Sequence, residues 1–173
     1  MAACNLDPSG TRIEPRGSHA AGPMGAARLF ALALRDNTVL DRTVCVKCEL
    51  YGSVPTTGHR HDRGREVLLG LEGEEADRLD PAAIAPRLRR IHDKRELRLL
   101  GTRRIAFDKR HHLAFARRDS STSPADGMRL SAFDPAGWLL LEKTFTWSAG
   151  REEDSGQRHV EGGAAVGSCR TPA

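Results

Sequence analysis

Two separated stretches of the sequence place a histidine beside glycine and hydroxyl residues. In the first, Ser18 and His19 precede an alanine-rich segment, and in the second, Thr57 and Gly58 are followed closely by His61. A serine hydroxyl and free backbone N–H groups before a helix can hold a carboxylate, and a neutral imidazole can take or give a proton on the bound molecule. These residue types therefore allow small-anion binding and proton transfer.

Each stretch also has a simpler interpretation, which the residues alone favour. Ser18 can be an ordinary helix cap with His19 at the surface, and residues 57–61 can be a solvated loop. The most common use of an Asp-Gly pair such as Asp126-Gly127 is a turn that leads into a strand. We interpret three further histidines as surface residues: His92, His111 and His112.

The composition limits the classes of function. A chain of 173 residues with 39% apolar residues can hold one domain with a core. The net charge of +4 and the pI near 9.2 could indicate a nucleic-acid partner. However, the basic residues are scattered among acidic ones, and the eight aromatic residues are too few for a base-stacking platform. We also expect no membrane partner, because no apolar run is long enough to span a bilayer. The first residues lack the features of a signal peptide, so we expect a cytoplasmic protein.

Two cysteines form a Cys-x-x-Cys pair, which by itself could indicate zinc or redox chemistry. Cys45 and Cys48 lie in a segment that alternates like a strand, however, so their side chains should point to opposite faces. The other cysteines, Cys4 and Cys169, lie near the two ends of the sequence. We therefore expect no metal ligands in this chain.

The pattern of apolar residues predicts three helices and several strands. A helix should begin at Pro23, and a strand should cover residues 43–51, followed by a loop over residues 52–60. A second helix should run from about Arg63 to Leu71. A third should begin after Asp80, with Asp80 as its N-cap.

The second half of the chain predicts mostly strands. These should cover residues 105–107, 113–115, 128–133 and 138–146, with a turn at residues 134–137. The whole pattern indicates an α+β fold with a mixed or antiparallel sheet and two to three helices. We expect an irregular lead-in over residues 1–12, a single domain over residues 13–150 and a disordered tail over residues 151–173.

In order and spacing, these segments resemble the β domain of iron–sulfur-dependent bacterial L-serine dehydratase (L-serine ammonia-lyase). The resemblance covers roughly residues 13–146. Residues matching the motifs of that family are Pro15, Ser18, His19, Gly22, Pro23, Met24, Leu50, Tyr51, Gly52, Ser53, Thr57, Gly58 and His61. The Leu-Leu-Gly-Leu-Glu-Gly helix end at residues 68–73 also matches, and residues 126–128 correspond to an Asn-Gly-Met motif of the family. Arg16 and Arg60 replace smaller residues of the family pattern.

The resemblance implies conversion of L-serine to pyruvate and ammonia, a lyase reaction. It implies acid–base roles for His19 and His61, and substrate binding by Ser18, Thr57 and Gly58 together with Asp126 and Gly127. It also implies a [4Fe–4S] cluster whose ligands lie in an α domain that this sequence lacks, hence a separate cluster-bearing domain or subunit, or a homodimer, as partner. The family domain is in turn similar to the allosteric substrate-binding domain of phosphoglycerate dehydrogenases.

Two further interpretations stay open at this point. The chain can be a non-catalytic module that binds a small carboxylate or mediates subunit contact, or it can be a degenerate fragment. The arginines at positions 16 and 60 favour weakened activity, because a guanidinium can fill a small pocket or lower the pKa of a neighbouring imidazole.

Overall fold

The computed structural model of the chain describes residues 22–51, 58–116, 127–148 and 151–159. In chain order, the elements within these ranges are α1 (Pro23–Asp36), β1 (Cys45–Tyr51), α2 (Gly58–Leu71), α3 (Pro81–Lys94), β2 (Glu96–Leu99), β3 (Arg103–Ala106), α4 (Lys109–His112), β4 (Leu113–Ala116), β5 (Gly127–Phe133), β6 (Leu139–Ser148) and β7 (Arg151–His159).

The larger sheet is mixed, and its five strands lie in the order β4-β1-β5-β6-β7. Strands β1 and β4 are parallel, whereas β5, β6 and β7 each pair antiparallel with the preceding strand in that order. A separate hairpin is formed by β2 and β3. The predicted α+β class with a mixed sheet is therefore confirmed.

Local sequence signals account for the limits of α1 and α3. Pro23 begins α1, where its missing N–H costs nothing. The Asp80 carboxylate accepts a hydrogen bond at 2.9 Å from the backbone N–H of Ala82 and so caps α3. The helix continues through Pro86 and ends at Arg95, which has a left-handed backbone. Both helices therefore begin where the sequence predicts.

The core lies between one face of the larger sheet and the helices. Val46, Cys48 and Leu50 alternate along β1 and are buried against apolar side chains of α1 and α2. The apolar residues of α1 that the helical spacing predicts are all buried: Met24, Ala27, Phe30, Ala31 and Leu34. Burying each large apolar side chain contributes about 1.5–3 kcal/mol. This layer therefore holds α1 and α2 on the sheet.

Three features differ from the sequence prediction. Helix α2 begins at Gly58 instead of about Arg63, so the predicted loop at residues 58–60 is helical. The hairpin strand β2 and the single turn α4 were not predicted, so the described part of the chain holds four helices rather than two to three. Residues 151–159, expected to be part of a disordered tail, form β7 through pairing with β6.

In the described residues, no helix is long and apolar enough to cross a membrane.

Candidate functional site

Three strands of the larger sheet finish or begin at the same end of the sheet. Tyr51, the last residue of β1, is paired with Ala116 at the end of β4 and with Gly127 at the start of β5. The chain therefore leaves β1 towards Thr57 and Gly58 at the same end where it arrives from Asp126. Thr57 and Asp126 themselves lie outside the described residues. This sheet end brings together the attachment points of two predicted substrate-binding segments.

The second turn of α2 packs on β4. A Cβ atom on Gly64 would lie 2.9 Å from Cδ2 of Leu113 and 3.8 Å from Cζ of Phe115, so the helix crosses directly over β4. The backbone of His61 is three residues earlier, which is about 4.5 Å along the helix axis. His61 is thus carried by the first turn of a helix whose second turn packs on β4, whereas the sequence predicted a helix only from about Arg63.

The start of α1, in contrast, lies against the other end of α2. A Cβ atom on Gly70 would lie only 2.0 Å from the carbonyl oxygen of Met24, and Nε of Arg28 donates to the carbonyl oxygen of Gly73 at 3.2 Å. Gly70 is nine residues after His61, about 13 Å along the axis of α2. The segment that carries Ser18 and His19 therefore joins the described fold far from His61.

Ser18 and His19 lie outside the described residues. An extended chain covers at most about 10 Å between His19 and Gly22. His19 and His61 thus belong to segments that join the described fold near opposite ends of α2.

The Leu-Leu-Gly-Leu-Glu-Gly motif at residues 68–73 has a structural explanation. Glu72 is buried, and its carboxylate accepts hydrogen bonds from the backbone N–H of Arg98 at 3.1 Å and from Nη2 of Arg90 at 2.6 Å. Gly73 has a φ of +94°, the left-handed conformation that ends a helix. The motif thus closes α2 and ties it to α3 and β2, and its glycine at position 70 permits close contact with α1.

Tyr51 extends this sheet end on the face away from the core. Its hydroxyl donates to Oε2 of Glu49 at 2.6 Å, and the Arg129 guanidinium lies 5.7 Å from the centre of its ring. Partial burial, together with the hydrogen bond to Glu49, raises the pKa of Tyr51 well above its usual value. A neutral phenol therefore flanks the point where the chain leaves towards Thr57. In the sequence, Tyr51 was marked only by its match to a family motif.

The prediction that His112 is a surface residue is wrong, because its side chain is buried. Its Nδ1 accepts a hydrogen bond at 2.9 Å from the backbone N–H of Asp108, so this nitrogen carries no proton. Burial lowers the pKa of His112, and the nearby charges of His111 and Lys47 act in the same direction, whereas Asp108 opposes them. His112 fixes the turn that leads into β4. His111 and His92 are exposed, as predicted.

The cysteines in the described residues do not fit an iron–sulfur cluster. Cys48 faces the core, and Cys45 lies three residues earlier on β1 and is not part of that core cluster. Burial raises the pKa of the Cys48 thiol far above its usual value, which disfavours the thiolate that a cluster needs. In the part of the chain that the structure describes, no three His, Cys, Asp or Glu side chains group as metal ligands would.

Comparison with known proteins connects this geometry to one family. The model of the family "Serine dehydratase beta chain" matches residues 11–151. An L-serine dehydratase from Streptomyces coelicolor is 39% identical over 145 residues, which covers 84% of this chain and 32% of that protein. The chain belongs to the serine dehydratase beta chain family. The resemblance predicted from the sequence motifs is thereby confirmed.

Other members of the same group are more distant. An L-serine dehydratase from Helicobacter pylori is 30% identical over 133 residues, and L-serine dehydratase 1 from Escherichia coli is 28% identical over 134 residues. In both cases the match covers 77% of this chain but 29% of the relative. The chain therefore spans about a third of the length of the curated relatives it matches.

Proposed function

We propose that this chain is the β part of an L-serine ammonia-lyase, which converts L-serine to pyruvate and ammonia. The observation that carries the proposal is the meeting of β1, β4 and β5 at one sheet end in a chain of this family. The segments bearing Thr57, Gly58 and His61 and the segment bearing Asp126 and Gly127 both start from that end.

In this proposal, His61 takes the proton from the Cα atom of L-serine. Loss of that proton and of hydroxide from Cβ gives aminoacrylate and water, and aminoacrylate then tautomerises and hydrolyses to pyruvate and ammonia. A positioned general base of this kind accelerates a reaction by about 10²–10⁴-fold. His19 acts as the second acid–base group, and Ser18 holds the substrate carboxylate.

The remaining binding roles follow the backbone at the sheet end. We propose that Thr57 and Gly58 bind the substrate from the side of α2, and that Asp126 and Gly127 bind it from the start of β5. Gly127 is buried and paired with Tyr51 and Thr146, so this side of the site is held by the sheet. A site built on strand ends is positioned more rigidly than one built on a free loop.

The cofactor and the partner are part of the same proposal. The described cysteines do not fit a [4Fe–4S] cluster, so the cluster implied by the family would be held by a separate α domain or subunit. We propose a cytoplasmic protein that works with such a partner, with a homodimer as the alternative assembly.

A non-catalytic module is the second candidate function, and one observation favours it. The start of α1 contacts Gly70, about 13 Å along α2 from His61, so the two histidine segments are not adjacent at their points of attachment. A chain that binds a small carboxylate or a subunit has no need of both histidines. The fold that the family resemblance implies, that of the allosteric substrate-binding domain of phosphoglycerate dehydrogenases, would suit that role.

The test is an anaerobic assay that mixes this chain with a cluster-bearing α domain of the family and follows pyruvate formed from L-serine. We expect activity with the wild-type chain and at least a 100-fold loss with His61→Ala. His59→Ala, two residues earlier, is the matched control and should retain activity. Equal activity of the two variants would remove the role of His61, and no activity in any mixture would favour the non-catalytic module.

A further inference from the structure

A cleft of about 1100 Å³ lies between α2, α3, α4 and β4. Its floor is apolar, and eight side chains contribute to it: Leu68, Ile84, Ala85, Leu88, Ile91, Phe107, Leu113 and Phe115. Most of these side chains are themselves buried, so the apolar surface open to solvent is narrow. The volume is close to the upper end of the range of small-molecule sites, about 300–1,000 Å³.

Positive charge surrounds this apolar floor. Five cationic residues line the cleft, namely Arg65, Arg89, Arg95, Lys109 and Arg110, against two carboxylates, Asp93 and Asp108. Both carboxylates already have partners. Asp108 accepts the backbone N–H of Arg110 at 2.9 Å, and Asp93 lies 3.1 Å from Nδ1 of His92. The cleft therefore has a net positive charge.

Other arginines of the fold, outside this cleft, form ion pairs with glutamates. Arg87 pairs with Glu74, Arg90 with Glu72 and Arg28 with Glu75. Among the described residues, no carboxylate lies within ion-pair distance of Arg89, nor of the guanidinium groups of Arg95 and Arg110. These three charges are thus available to an anion that enters the cleft.

Lys109 and Arg95 add two local details. The side chain of Lys109 lies over α2: its Cε would be 3.9 Å from a Cβ atom placed on Gly64. Partial burial, together with the nearby charge of Arg65, lowers the pKa of the Lys109 ammonium group. Arg95 has a φ of +48° at the end of α3, a position that usually holds glycine. A cation therefore occupies a site where glycine would be the easier residue.

We propose that this cleft binds a small molecule with an apolar chain and a carboxylate group. The chain would lie on the floor formed by Leu88, Ile91 and Phe107, and the carboxylate would contact the guanidinium groups of Arg89, Arg95 and Arg110. L-serine does not suit this cleft, because its polar side chain would gain nothing from the apolar floor. The proposed ligand therefore differs in chemistry from L-serine, and the proposal does not depend on the proposed function.

The test is calorimetric titration of the full chain with decanoate below its micelle concentration, with decanamide as the uncharged analogue. We expect decanoate to bind with one site per chain and decanamide to bind at least tenfold more weakly. Equal affinity of the two compounds would overturn recognition of the carboxylate, and absence of saturable decanoate binding would overturn the site itself.

Arg95→Gly is the informative variant, because it removes a cation while supplying the residue that a left-handed helix end favours. We expect decanoate affinity to fall about two- to fivefold and the thermal unfolding midpoint to stay equal or rise. Combining this change with Arg89→Gln and Arg110→Gln should weaken binding about tenfold or more. Arg104→Gln, an equal charge change on β3 outside the cleft, is the control and should bind normally. Unchanged affinity of the triple variant would refute the assignment of these three arginines.

Discussion

The contact between Gly70 and Met24 makes a sharp prediction for Gly70→Ala. A Cβ at this position would lie 2.0 Å from the carbonyl oxygen of Met24 and 3.0 Å from Cβ of Ala27, whereas ordinary van der Waals contact begins at 3.4 Å. The two helices would have to separate by about 1.4 Å, the difference between 3.4 and 2.0 Å. The atom that is hit belongs to the backbone, so no side chain can rotate out of the way.

The magnitude follows from two opposing terms. Replacing a helical glycine with alanine gains about 0.5–1 kcal/mol of helix stability. Overpacking a core costs about 1–3 kcal/mol, and a backbone clash belongs at the upper end of that range. The net expectation is a loss of about 2 kcal/mol in the free energy of unfolding.

Urea unfolding measures this loss, and Gly64→Ala in the same helix provides the control. At Gly64, the new Cβ would meet only the end of the Leu113 side chain at 2.9 Å, which can rotate away. Its free energy of unfolding should therefore stay within about 1 kcal/mol of wild type. If Gly70→Ala proves as stable as Gly64→Ala, the close packing of α1 on α2 is wrong, and with it the attachment of the His19 segment near the end of α2.

Two further predictions concern buried polar groups. Glu72→Ala should lower the free energy of unfolding by about 3 kcal/mol, because Arg90 loses its carboxylate partner inside the fold. Denaturant titration measures this change. A loss below about 1 kcal/mol would contradict the stabilising role of the Glu72–Arg90 pair. Burial lowers the pKa of His112 in the folded chain below its usual value of about 6.5. As the pH falls from about 6.5 towards this lowered pKa, the unfolded chain binds a proton at His112 that the folded chain does not bind, so the free energy of unfolding decreases. Relative to His112→Gln, the wild-type chain should lose stability over that pH interval and not above it, as followed by urea unfolding at a series of pH values. Parallel pH profiles of the two proteins would show that His112 does not titrate as described.

The elements that the sequence predicted correctly have strong local signals. Helix α1 has Pro23 at its start and an apolar face with helical spacing, and β1 alternates apolar and polar residues. The turn at residues 134–137 is closed by hydrogen bonds from the backbone N–H groups of Ala136 and Trp138 to the Asp134 carboxylate. In these segments, the local conformational preferences of the sequence and the tertiary packing favour the same structure.

The elements that were missed depend on tertiary contacts. Residues 58–62 carry no apolar spacing, and this part of α2 continues a helix whose later turns are packed on α1 and β4. Strand β7 is rich in charged residues, and backbone pairing with β6 defines it. His112 looks like a surface residue in the sequence because its neighbours are polar, and only the packing of α4 shows that it is buried.

The candidate site likewise has one part that the sequence predicts and another that depends on tertiary contacts. The sequence motifs name the candidate segments, and the antiparallel pairing of β1 with β5 shows that two of these segments adjoin one sheet end. The different attachment of the His19 segment could not be read from the sequence. It depends on Gly70 and Met24, which are 46 positions apart and meet only in the folded chain.

The location of the L-serine site at this sheet end is tested most directly by nuclear magnetic resonance. The isotope-labelled chain, mixed with an unlabelled cluster-bearing α domain, is titrated with L-serine while its backbone amide signals are followed. We predict that the amides of Tyr51, Gly58 and Gly127 shift together with a single saturation curve, and that D-serine shifts them much less. Shifts confined to the turn at Gly137 or to the cleft beside α3, with these three amides unchanged, would contradict the proposed site.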